Sequence, residues 1–180
     1  MILEMKATQA GVQTKAVAGR RRLHFGTVGA AVAEVDRLAD AERAGRLRHV
    51  GNWRFGQILG HLAGWVDYSY DGVPMKVPAV LRWVARPFKN RMLYKPMGAG
   101  SWLPRVPNGT FCTEAMDTEQ GLARFRSTFG RLGAECPARP HALLGPLTHQ
   151  EWINQHLRHA ELHLSFLHDD PDDPAPTAAG

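Results

Sequence analysis

The chain has 180 residues, 44% apolar and 22% charged, which fits one globular domain with its own core. No run approaches the roughly 18 to 20 apolar residues that span a bilayer, and two cysteines, Cys112 and Cys136, exclude a disulfide framework and a Cys-based zinc site, so both are expected as reduced thiols. A net charge of +5 raises the question of polyanion binding, but the cations lie in three separated segments, 20–22, 43–49 and 81–95, without a recognisable nucleic-acid module.

In chain order, residues 1–22 show little periodic apolar signal and read as a mobile arm. The arm has no apolar h-region, and Glu34 and Asp36 soon follow Arg20, Arg21 and Arg22, which argues against a twin-arginine leader; a cytoplasmic location is expected. Val28, Val32, Val35, Leu38 and Ala39 then recur at helical spacing and predict a first helix ending near Gly45. In "GNWRFGQILGHLAGWVDYSYDG" Asn52 is the expected N-cap, Phe55, Ile58, Leu59, Leu62 and Val66 form the stripe, and Gly72 is the stop.

From Val73 to Thr113 no period is sustained, except that "AVLRWVARPFKNRML" fits a broken amphipathic helix around Pro87. So long a connection suits a chain crossing a bundle or covering a site. Asp117 and Gln120 resemble a capping box ahead of Leu122, Phe125, Phe129 and Leu132, and Thr148 with Glu151 starts a last helix expected from His149 to His168. Its stripe is Ile153, Leu157, Ala160, Leu164 and Leu167. "DDPDDPAPTAAG" from Asp169 has the composition of a disordered tail. The expected architecture is all-α: an up-and-down type four-helix bundle over 23–168, with a long crossover between helices 2 and 3 and no alternating strand pattern.

The last helix carries His156, His159 and His163. At about 100° per residue they fall within roughly 60° of one another, flanking the apolar stripe. His159 and His163, four apart, stack one turn over the other and can converge on one ion. His61, in the middle of the second helix, supplies a third imidazole from beside a second apolar stripe. Three neutral imidazoles with an open fourth position make a catalytic zinc arrangement. The plainer reading of each histidine is a satisfied boundary residue, and without H-E-x-x-H a zincin protease is not supported.

The segments "RRRLHF", "GNWRFGQILGHLAGWVDYSYDG" and "GPLTHQEWINQHLRHAELHLSFL", in that order and with the long crossover between, resemble the DinB-like (YfiT-like) four-helix-bundle metalloenzyme superfamily, in its uncharacterised-domain branch. The resemblance implies a divalent metal on His61, His159 and His163. It departs where members of the branch often have adjacent histidines: Leu162 precedes His163 here, and Ser165 and Phe166 occupy the Arg and Gln positions that follow. Characterised relatives include transferases and isomerases that use bacillithiol or mycothiol.

The leading expectation is a metal-dependent transferase or hydrolase with zinc as the first candidate and nickel, iron or copper also suited to three imidazoles. A small-molecule substrate or a thiol cofactor is its expected partner, with a homodimer compatible and neither nucleic acid nor membrane expected. Gln57, Trp65, Tyr68 and Trp152 are candidate pocket residues, each with a plain packing role as the alternative. His156 is a candidate proton shuttle, with a solvent-exposed histidine as the plainer reading. No general base is identified. The contrasting expectation is a non-catalytic metal-binding bundle acting as a structural or sensor protein through a partner. A third is a surface module in which "LRWVARPFKNRMLYK" lies on anionic lipid or nucleic acid, although packing over the bundle explains the same residues more simply.

Overall fold

A computed structural model describes residues 13–100, 103 and 106–169. Four long helices build the bundle: α1 (Val28–Arg43), α2 (Phe55–Asp71), α5 (Thr118–Ala134) and α6 (His149–Leu164), with the short α3 (Ala79–Ala85) and α4 (Lys89–Tyr94) on the crossover. Local chemistry sets most of the ends. Thr27 Oγ1 accepts from the Ala30 N–H, Asp117 accepts from that of Gln120, and Thr148 with Glu151 closes a reciprocal box, each satisfying amide donors that a helix start leaves unpaired. Gly72, at φ 97°, takes a positive φ that glycine adopts without strain and that ends α2. The predicted cap of α2 needs correction: Asn52 lies in the preceding turn and Arg54 occupies the N-cap without a side-chain bond.

The stripes meet in one core. Val35, Leu38, Leu59, Phe125, Phe129, Leu132, Leu157 and Leu164 are fully buried, and the rings of Phe125 and Phe129 stack at 4.0 Å. On the face of α2 turned to α5 and its approach, Gly56, Gly60 and Gly64 recur every fourth residue. A Cβ on Gly56 would stand 2.3 Å from the Met116 carbonyl oxygen, and one on Gly64 2.4 Å from Cys112 Sγ. These glycines let the returning end of the crossover, 111–117, lie directly on α2.

Two further expectations about this fold are corrected. The last helix stops at Leu164, four residues short of the predicted end, because Ser165 Oγ turns back to the Leu162 carbonyl and the chain enters strand β2 (Leu167–Asp169). β2 pairs antiparallel with β1 (Leu47–His49), in the register Leu47↔Asp169 and His49↔Leu167. Leu167 is buried as predicted, but from a strand. Three residues on each side are too few for a readable alternation.

The second correction concerns the crossover. It breaks at Pro87 as predicted, and α4 packs on α6 through buried Leu93 and the ion pair of Lys89 with Glu151. α3 does not cover the bundle: it buries none of its residues.

The described part of the N-terminal segment, 13–22, runs to the far end of α6, where the Arg21 N–H donates to the Ser165 carbonyl and Arg21 pairs with Glu34. Residues 1–12 and 170–180, where most of the arm and the tail were expected, lie outside the described residues. Asp169 is in β2, where it pairs with Arg37 and Arg46. Cys112 and Cys136 are free thiols. No helix among the described residues is long and apolar enough to cross a membrane.

Candidate metal centre

α2 and α6 lie side by side, and each brings a histidine edge to the seam between them. His61, from the middle of α2, is buried, whereas His159 and His163, one turn apart on α6, are partly buried. The three Nε2 atoms converge: His159 Nε2 lies 3.3 Å from that of His61 and 3.1 Å from that of His163. Nitrogens held at about 2.0 to 2.1 Å from a common tetrahedral ion are about 3.3 Å apart, so the two contacts of His159 match a shared divalent ion, and all three ligand nitrogens lie within 4.8 Å of one another. Among the described residues no Cys, Asp or Glu joins the three imidazoles as a fourth candidate ligand.

Protonation agrees with the spacing. His61 Nδ1 lies 2.9 Å from the Phe111 carbonyl oxygen, which can only accept, so the ring proton is on Nδ1 and the Nε2 lone pair faces the other two rings. Burial lowers the His61 pKa to about 4. Burial, and then the neighbouring imidazoles, hold His159 and His163 well below the ordinary range. Neutral rings whose nitrogens converge can offer lone pairs to a cation, and for His61 the Nδ1 contact fixes which nitrogen does so.

The wall around the rings is aromatic. Trp65 meets His61 and His159 edge-on, and Tyr68 and Phe111 close the next layer. The Tyr68 hydroxyl is pushed up to about 12 chiefly by burial, with the Cys112 thiol adding to the rise. Gln57 is turned to the crossover, where it donates to the Thr113 carbonyl at 2.8 Å. Trp152 lies farther along α6, stacked on His156.

His156 requires correction. The expectation of a solvent-exposed ring fails: it is 2% exposed, its Nε2 is 2.7 Å from Ser69 Oγ, and burial takes its pKa to about 3. It stands outside the three-histidine cluster. Its burial follows from Ser69 on α2, a long-range partner that a single helical wheel does not reveal. Buried atoms without a protein partner occur along this face: Trp65 Nε1, Trp152 Nε1, Gln155 Oε1 and His156 Nδ1. Each is a group that burial leaves costly unless something bonds to it.

Sequence reasoning missed two contributors. Trp53, two residues before α2, stacks on His163 with ring planes 4° apart and meets His61 edge-on. The Phe111 carbonyl arrives from the crossover, and the every-fourth glycines of α2 were the signal for that close approach.

The family model described as "Protein of unknown function (DUF1569)" matches residues 17–170, most of the chain. No curated protein and no solved structure matches it.

Proposed function

The chain belongs to the DUF1569 family, and we propose that its His61, His159 and His163 hold one divalent metal ion, zinc first among the candidates, in a metal-dependent transferase or hydrolase. The observation that carries this reading is the convergence of three neutral Nε2 atoms at 3.1 and 3.3 Å. The DinB-like resemblance, which implies the same three residues, supports it.

When bound, such an ion lowers the pKa of a water or thiol at its open position and so supplies a nucleophile near neutral pH. The protein's own part is positioning. The Phe111 carbonyl holds the His61 proton on Nδ1, Trp53 fixes the plane of His163, and the ring edges of Trp65 keep bulk water from His61 and His159. Trp65, whose ring meets His61 and His159, has an unpaired Nε1 donor beside the centre, which suits a small polar substrate.

Metal analysis of protein purified without a polyhistidine tag tests the reading. One ion per chain is expected, lost on replacing any of His61, His159 or His163 with Ala and kept in His156→Ala. Equal retention by all four variants would discard the site.

A further inference from the structure

Between Gly72 and Thr113 the sequence has seven Lys and Arg residues and no Asp or Glu, while the rest of the chain is slightly acidic. The excess positive charge of the molecule therefore belongs to the crossover. Of its described cations only Lys89 has an ion pair, with Glu151 at 2.8 Å. That contact and the buried Leu93 anchor α4 to α6, whereas α3 before it buries none of its residues. Trp83 is 71% exposed and Val80 66%, with Leu81, Val84, Phe88 and Tyr94 each at least half exposed. These six are the large apolar side chains that the described residues leave in water. Trp83, Val84, Arg86, Pro87 and Phe88 line an open hollow of about 430 Å³.

A mixed apolar and cationic surface needs a partner that has both an anionic layer and an apolar layer. Nucleic acid offers phosphates and base faces but has no use for Val80, Leu81 and Val84 together. A phospholipid surface offers phosphates at one depth and acyl chains just beneath, and aromatic rings favour the boundary between them. Packing of residues 81–95 over the bundle was the simpler expectation for this segment; α4 does pack there through Leu93, but α3 buries none of its residues.

We infer that residues 79–95 dock the chain on the anionic phospholipid face of a bilayer, with Val80, Leu81, Trp83, Val84 and Phe88 entering among the acyl chains. Arg82, Arg86, Arg91 and Lys95 lie at the level of the phosphates. The seven residues of α3 lie along the surface and do not cross it.

Flotation of the full chain with phosphatidylcholine vesicles, with and without phosphatidylglycerol, tests this at low and at physiological ionic strength. The chain is expected to float with the anionic vesicles only. The triple variant R82Q/R86Q/R91Q is expected to bind them on the order of 100-fold more weakly, at about 1 kcal/mol per cation near the surface. W83S/F88S, which leaves the charge unchanged, is expected to lose flotation, as is V80S/W83S, confined to a helix that buries nothing. Failure of the native chain to float with anionic vesicles at low ionic strength overturns the inference. So does full flotation of both serine variants, which leaves a purely electrostatic surface. Single-stranded RNA that binds more tightly than the vesicles, and as tightly to W83S/F88S, would make the partner a nucleic acid instead.

Discussion

Trp53 lies flat against His163 and edge-on to His61, so one indole restrains two of the three rings from opposite helices. Its own backbone carbonyl is 3.2 Å from His49 Nδ1, which ties the tryptophan to the end of β1. A ring free to rotate about χ1 must be ordered when a metal binds, whereas a stacked ring is ordered beforehand, and groups that orient ligands in this way are worth about 10- to 100-fold in affinity. Trp53→Ala is therefore expected to weaken zinc binding by about tenfold or more, read by competition with a chromophoric chelator. Trp53→Phe, which keeps a flat ring, is expected to stay close to the native value. If the alanine variant binds as tightly as the native chain, the stack is packing alone.

α2 and α5 pack more closely than apolar stripes require, and the glycines decide how. A Cβ on Gly121 would be 2.9 Å from the Gly56 carbonyl oxygen, so this pair brings backbone to backbone, and neither position can yield by moving a side chain. Gly56→Ala is expected to destabilise the fold by about 1 to 3 kcal/mol or more through overpacking. Gly130→Ala on the same α5, exposed and with nothing within 4 Å, is expected to stabilise it by about 0.4 to 1 kcal/mol. Urea unfolding of both variants checks the contrast, and equal shifts would mean that helix propensity alone is being measured. The stripe of α1, the cap and stripe of α5 and the capping box that starts α6 were legible in the sequence because each is written within one or two turns. The end of α6, the burial of His156 and the exposure of α3 were not legible, because each depends on a partner far along the chain or on its absence. The pair His159 and His163 could be picked out from spacing alone. Their meeting with His61 depends on how α2 lies beside α6, which no single helical wheel contains.

Across the whole molecule, buried ion pairing and buried neutral rings divide the interior. Arg158 and Glu161 are both nearly buried, pair at 2.5 Å, and together hold Phe25, Glu161 accepting its N–H and Arg158 donating to its carbonyl oxygen. The described N-terminal segment is thereby clamped to α6. The histidines behave in the opposite way. Burial lowers His141 to about 4 and His156 to about 3, from 6.5. As pH falls below 6.5 the unfolded chain takes up protons that these folded rings refuse. Each ring therefore removes stability progressively, His141 down to about pH 4 and His156 to about pH 3, with the full contribution present above 6.5. Within that window each contributes a slope of up to about 1.4 kcal/mol per pH unit. His141 can be isolated because its Nδ1 serves as the acceptor for the Leu143 and Leu144 amides. His141→Asn offers a carbonyl oxygen for the same amides without a titrating group. Urea unfolding of the native chain between pH 7 and 4 is expected to show stability falling steeply, and His141→Asn to show a slope shallower by up to about 1.4 kcal/mol per pH unit. Parallel curves for the two proteins would show that His141 takes up its proton in the folded state as readily as in the unfolded one.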